Sequence, residues 1–342
     1  MSDRSKLLET GIFQGVIRKS SCITVRNVIG VCLISIYITY VLIQVETQSD
    51  TSLKQPSPKP AKRNENYSYI IFVQTTDSGL PSLVVCAIES AAIIYKRRKV
   101  RFYMKGTNDE NPKRSDPGLE LLKTISNVEI LKLDPESVLE NTPLEKWYKN
   151  TDPTKERYWT HVQSDAFRYA LLWQNGGMYM DTDVISIKAL PEGNFLGFQS
   201  SGTLNGAVLS FSTRSSLLYA CMTDFVQNYQ GSVWGHQGPG LLTRVFQRLC
   251  NVSMMDSETD HKCTSQNITF MKRSAFYHIP YPEWKRFYST SDNPSVFQDF
   301  YAVHVWNQMN QWNGKKTIKA QDETLLEKLF KEYCPQTHSK LL

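Results

Sequence analysis

The chain has 342 residues, of which 41% are hydrophobic and 21% charged, an ordinary composition for a globular protein with room for one large α/β domain or two smaller ones. Its formal charge of +6 arises from 39 basic against 33 acidic residues. Part of that excess lies in the N-terminal arm and at Lys59, Lys62 and Arg63, too diffuse for a nucleic-acid-binding surface.

In chain order, residues 1–27 read as a cytosolic tail and residues 28–45 (VIGVCLISIYITYVLIQV) as an uncharged apolar span. At ~1.5 Å per residue the span reaches roughly 27 Å, the hydrocarbon thickness of an early secretory membrane. Arg18, Lys19 and Arg26 precede it and no small-residue cleavage site follows. An uncleaved type II signal anchor is therefore expected, with the remainder lumenal. Residues 46–66, rich in Ser, Pro and Lys, read as a stem, and residues 67–342 as the folded domain. In an oxidising lumen, Cys250 and Cys263 bracket a polar loop and form the preferred disulfide; the odd number of remaining cysteines leaves at least one thiol outside intramolecular pairs. Asn66, Asn251 and Asn267 open glycosylation triplets.

From residue 69 onward, short β-rich runs alternate with helical patterns. Strands are expected at 69–73, 99–104 and 128–133, with helices at 82–95 and 118–126. This order predicts an α/β domain with right-handed crossovers, a mainly parallel central sheet flanked by helices, and ligands at the carboxyl ends of the strands. A helix at 160–174 ends at Asn175-Gly176-Gly177, and a strand at 178–180 leads into Asp181-Thr182-Asp183. Strand alternation would turn Asp181 and Asp183 to one side, where both can face a divalent cation and the diphosphate it holds. On the preceding helix His161, Asp165 and Arg168 share a face. Asp165 and Arg168 form either a solvent-facing ion pair or, if brought to the Asp181/Asp183 strand, a pair that holds sugar hydroxyls.

Ser164-Asp165-x-x-Arg168-Tyr169 followed by Gly176-Gly177-x-Tyr179-x-Asp181-x-Asp183 resembles the DXD sugar-binding region of eukaryotic α1,4-glycosyltransferases, yeast initiating α-mannosyltransferases and large bacterial glucosylating toxins. Trp234-Gly235-His236-Gln237-Gly238-Pro239, Leu242-Thr243-Arg244 and Ala302-Val303-His304-Val305-Trp306-Asn307 resemble the α1,4-glycosyltransferase branch alone. The resemblance runs from about Ile71 to about Asn307 and includes Ile88-Glu89-Ser90-Ala91-Ala92.

This resemblance implies a GT-A-type fold, a UDP-sugar donor (UDP-Gal or UDP-GalNAc), Mn²⁺, retention at the anomeric carbon, a glycosphingolipid acceptor of lactosylceramide type, and residence in the Golgi membrane. It assigns Asp183 to the metal, Asp181 to the ribose and the metal, and His304 to a C-terminal metal ligand. Asp165 and Arg168 are assigned to the donor hexose, with Tyr179 and His236 also at the donor. Gln237 is the candidate for a weak catalytic contact during front-face attack. Transfer of N-acetylglucosamine to glycoprotein glycans is the alternative, and an inactive glycan-binding relative is a further one, although the Asp181/Asp183 pair is intact. An aspartyl phosphatase would need a later Gly-Asp-x-x-x-Asp, which the sequence lacks. Relatives often carry basic residues after His-Val-Trp-Asn, where this chain has Gln308-Met309-Asn310-Gln311-Trp312. Trp234, Trp306 and Trp312 are candidates for stacking on sugars as well as for ordinary packing.

Overall fold

The structure is a computed structural model that describes Tyr67, residues 69–106 and residues 116–342. The expected tail, membrane span and stem, with Cys22, Cys32 and Asn66, lie outside the described residues. Among the described residues no helix is long and apolar enough to cross a membrane.

The first half is an alternation of strands and helices: β1 (Tyr69–Gln74), α1 (Ser82–Ile94), β2 (Lys99–Met104), α2 (Pro117–Lys123) and β3 (Val128–Lys132). Then come α3 (Pro135–Leu139), α4 (Leu144–Asn150), α5 (Trp159–Asn175), β4 (Gly177–Met180) and β5 (Val184–Ser186). The second half contains β6 (Phe195–Ser200), β7 (Thr203–Phe211), α6 (Ser216–Gln227), α7 (Leu241–Cys250), β8 (His261–Cys263) and β9 (Ile268–Met271). It ends with β10 (Ala302–His304), α8 (Asn307–Asn313), α9 (Leu325–Tyr333) and α10 (Pro335–Leu341).

The main sheet has the order β3-β2-β1-β4-β7-β6-β9-β8. β3, β2, β1 and β4 are mutually parallel, as the crossovers require. Beyond β4 the expectation of a mainly parallel sheet gives way to a mixed one. β7 runs antiparallel to both β4 and β6, and β8 is antiparallel to β9. Its cause is the tight β6–β7 hairpin, whose short connection can join only antiparallel strands. β5 leaves this sheet and pairs antiparallel with β10. The parallel block with the Asp181/Asp183 turn at its carboxyl edge is the GT-A-like arrangement that the resemblance implies.

Alternation along β1 divides the core. Ile70 and Phe72 face a layer built by α1 and α9, whereas Ile71 and Val73 face one built by α5, α6 and α7. At the α5–β4 junction glycine is required: Gly177 has φ 102°, and a Cβ there would lie 2.3 Å from the Tyr69 carbonyl oxygen. This contact docks β4 beside β1 immediately before the carboxylates.

The C-terminal helices are fastened to α1. A disulfide joins Cys86 to Cys334, and the buried Glu89 carboxylate accepts the N–H groups of Gln336 (2.9 Å) and Thr337 (2.8 Å) together with the Thr337 hydroxyl. The negative charge sits at the N-terminal turn of α10, where unpaired backbone N–H groups need acceptors. The expected Cys250–Cys263 disulfide is present, and Cys221 is free and buried. Cys86–Cys334 was outside the sequence-based expectation because 248 residues separate its partners. Asn251 and Asn267 are both exposed in left-handed turns.

Candidate active site

Asp181 and Asp183 lie on the turn between β4 and β5 and not on the strand itself, so alternation is not what brings them together. The turn is held by the Asp181 N–H donating to the Ala207 carbonyl (2.8 Å) and the Val184 N–H donating to the Asp181 carbonyl (3.0 Å). Tyr179, one residue before the end of buried β4, donates its hydroxyl to Asp181 Oδ1 at 2.7 Å. Tyr179 is 1% exposed, so it positions Asp181 and has no accessible surface for a donor sugar.

Arg168 on α5 is the hub of the cluster. Its Nη2 lies 3.1 Å from Asp165 Oδ1 and 3.3 Å from Asp181 Oδ1, and its Nη1 donates to the Gly206 carbonyl at 2.8 Å. The guanidinium also sits over the Tyr179 ring, 4.8 Å from its centroid. The solvent-facing ion pair is thereby excluded: Asp165 and Arg168 are both buried. Burial works to discharge Arg168, but Asp181, Tyr179 and Asp165 outweigh it and raise its pKa. Burial pushes the Asp165 carboxyl up to about 6, against the opposing pull of Arg168 and with help from Asp181. The Arg168 Nε is buried with no hydrogen-bond partner.

His304 reaches the cluster through the β5–β10 pairing, in which Val184 stands opposite His304. Its Nε2 lies 3.1 Å from Asp183 Oδ1, while Asp183 Oδ2 accepts the Asn307 N–H at 2.8 Å. Burial would raise the Asp183 carboxyl, but His304 and the Asn307 N–H hold it below the usual carboxylate range. Burial would likewise lower His304, yet Asp183 raises it. One ligand atom from each of Asp181, Asp183 and His304 falls within 4.8 Å of the others. Two carboxylates and an imidazole, whose Nδ1 is buried without a partner, form a donor set that fits a divalent cation such as Mn²⁺.

The Trp234-to-Pro239 segment approaches through its backbone. A Cβ on Gly238 would meet both Asp165 carboxylate oxygens at 3.0 Å, so glycine lets the loop close over that carboxylate. Gln237 is placed differently from the catalytic contact expected of it. Its Nε2 donates to the Phe225 carbonyl (2.8 Å) and its Oε1 accepts the Gln230 N–H (3.2 Å), so both ends of the amide are taken by backbone. His236, expected at the donor, bonds the Asn228 carbonyl through Nε2 at 2.9 Å, and its own carbonyl accepts from Arg244. Trp306 is buried and donates Nε1–H to the Ile279 carbonyl, which makes it a packing residue. Two groups were missed from sequence. The Asn307 N–H bonds Asp183, and Gln308 Oε1 lies 2.7 Å from His161 Nε2. Their position just after the His304 motif was the available signal.

Residues 59–202 match the glycosyltransferase sugar-binding region containing the DXD motif, and residues 210–341 match the α1,4-glycosyltransferase conserved region. The chain is 40% identical over 277 residues to alpha-1,4-N-acetylglucosaminyltransferase of Homo sapiens, covering 80% of each chain. The chain belongs to the α1,4-glycosyltransferase family. Lactosylceramide 4-alpha-galactosyltransferase of Mus musculus is 40% identical over 275 residues, covering 79% of this chain and 75% of that one. The Homo sapiens protein of the same name is 38% identical over 293 residues, covering 83% and 80%. In this α1,4-glycosyltransferase the sugar-binding match carries Asp165, Arg168, Tyr179, Asp181 and Asp183, and the conserved region carries His236, Gln237 and His304. The two halves meet where β5 pairs with β10.

Proposed function

We propose that this glycosyltransferase moves galactose or N-acetylgalactosamine from a UDP-sugar, with retention of anomeric configuration, onto the 4-hydroxyl of a glycosphingolipid of lactosylceramide type. The observation that carries the reading is the convergence of Asp181, Asp183 and His304 beside the buried Asp165–Arg168 pair. Asp183, Asp181 and His304 are the residues that would hold Mn²⁺, and the metal, when bound, neutralises charge on the departing diphosphate.

The chain's own groups divide the remaining work. Arg168, fixed between two carboxylates, offers positive charge to hexose hydroxyls and the diphosphate. Asp165 accepts from hexose hydroxyls and opposes the positive charge that develops on the sugar ring. Asn307 and Tyr179 fix the Asp183 and Asp181 carboxylates, so that little reorganisation accompanies bond breaking. The acceptor hydroxyl then attacks the anomeric carbon from the face the diphosphate leaves, the bond to UDP breaks, and the hydroxyl proton passes to the departing phosphate oxygen. In the cell, residues 28–45 anchor the chain in the Golgi membrane with residues 67–342 in the lumen.

The test is transfer by the full-length chain from UDP-Gal, UDP-GalNAc and UDP-GlcNAc, with Mn²⁺ and with EDTA, to lactosylceramide and to glycoprotein glycans. Galactose or N-acetylgalactosamine transfer to the glycolipid, abolished by EDTA, is expected. The 40% identity to the Homo sapiens alpha-1,4-N-acetylglucosaminyltransferase supports a second reading, transfer of N-acetylglucosamine, for which glycoprotein glycans are the acceptor to try. Activity confined to UDP-GlcNAc would select it.

A further inference from the structure

Two of the seven tryptophans are exposed side by side. Trp147, Trp173, Trp284 and Trp306 are buried, whereas Trp234 and Trp312 are 43% and 48% exposed. Their ring centroids lie 4.3 Å apart with the planes at 66°, so together they form an aromatic corner. Its inner wall is His161, whose ring is 4.7 Å from Trp234.

This corner is joined to the candidate active site by three short links. His161 precedes Asp165 by one helical turn on α5, and its Nε2 lies 2.7 Å from Gln308 Oε1. The residue before Gln308 gives its N–H to Asp183. Trp234 opens the loop in which Gly238 closes over Asp165. An exposed indole pair elsewhere on the surface would be a solubility cost without return; here it borders the buried carboxylates.

We propose that Trp234 and Trp312 form the platform for the acceptor's terminal sugar, a β-galactoside. The inference rests on the transfer reading given above. In a β-galactopyranoside the axial hydrogens of C1, C3 and C5 lie on the face opposite the axial 4-hydroxyl. An indole packed against that C–H face leaves the 4-hydroxyl free to point at the donor. A corner of two rings offers the sugar both a floor and a wall and thereby fixes its rotation. The uncharged segment from Gln308 to Trp312 thus reads the acceptor through an aromatic surface and not through charge.

The experiment measures KM for lactose and for the UDP-sugar in the full-length chain carrying Trp234→Leu, Trp312→Leu, Trp234→Phe or Trp312→Phe, with melting temperatures in parallel. Lactose carries no lipid, so it separates sugar stacking from contact with a ceramide tail. Each Leu variant is expected to raise the lactose KM roughly tenfold, the scale of one lost aromatic contact. The donor KM is expected to hold within about twofold and each Phe variant to recover most of the loss. A lactose KM unchanged in both Leu variants would overturn the platform, as would a parallel rise in both KM values with a lowered melting temperature. A defect seen with glycolipid and absent with lactose would assign the corner to lipid and overturn it equally. Failure of the unmodified chain to use any galactoside with any of the three donors would overturn the transfer reading, and the platform with it.

Discussion

Glu89 and Asp165 are both buried carboxylates on core helices, and they are treated in opposite ways. Glu89 accepts two backbone N–H groups and a hydroxyl from the start of α10, so its charge is spent inside the protein. Asp165 faces Arg168 at 3.1 Å and lies under the close backbone of Gly238, and burial pushes it up to about 6. A carboxylate that fastens the fold is saturated with donors, while one kept for a ligand retains acceptor capacity at an energetic cost. The same contrast separates the α1–α10 clamp from the Asp181/Asp183/His304 cluster, where the His304 Nδ1 and the Arg168 Nε are buried without partners.

If this contrast is right, damage to the clamp should reach stability and damage to the cluster should reach turnover. The largest effect is expected from Cys86→Ser. Its disulfide closes a 248-residue separation, against 13 for Cys250–Cys263. By loop-closure entropy the long-range bridge contributes about 5 kcal/mol and the short one about 3 kcal/mol. Chemical denaturation should therefore rank Cys86→Ser below Cys250→Ser, and the reverse order would break the clamp argument.

Next in size, Asp183→Asn is expected to lower kcat roughly a hundred- to a thousandfold, about 3–4 kcal/mol of transition-state stabilisation. Its melting temperature should stay within a few degrees of the unmodified chain. Wild-type-like turnover with Mn²⁺ present would remove Asp183 from the site. Glu89→Ala should cost about 2–3 kcal/mol of stability, because it leaves buried N–H groups unpaired. Turnover per folded molecule should hold within about twofold, and a collapse of kcat without loss of stability would erase the distinction between the two regions.

The smallest effect is a pH dependence. A carboxyl at about 6 in the folded chain, against 3.8 as its ordinary value, binds its proton more tightly folded than unfolded. Its contribution to stability is therefore full below about pH 4 and is lost as pH rises through about 6. Asp183 has the opposite sign: held low, it stabilises above its ordinary value and loses that contribution as pH falls. Subtracting the melting curve of Asp165→Asn from that of the unmodified metal-free chain isolates the Asp165 contribution. A difference that does not decline between pH 4 and 6 would remove the penalty that burial places on the Asp165 carboxylate.

Much of the site was legible because its signals are local. The glycines at 176 and 177, the apolar run to Met180 and the carboxylates at 181 and 183 are adjacent in sequence, and the α5 face carrying Asp165 and Arg168 follows from helical spacing. Gln237, His236 and Trp306 sit in motifs beside the site, and the hydrogen bonds their side chains make there run to the backbone of Phe225, Gln230, Asn228 and Ile279. Spacing along a chain shows which residues come near a place and not which hydrogen bonds they find there.

By itself the sequence determined the α/β alternation, the β4 turn with its carboxylates, the Cys250–Cys263 loop and the α1,4-glycosyltransferase family. Tertiary structure alone decided the mixed sheet, the Cys86–Cys334 clamp, the burial of Arg168 between two carboxylates and the meeting of Asp183 with the Asn307 N–H across 124 residues. The physical reason is range. Helical spacing, turn chemistry and apolar runs act over a few residues and are written in order, whereas the β5–β10 pairing that completes the site exists only when distant segments bury one another.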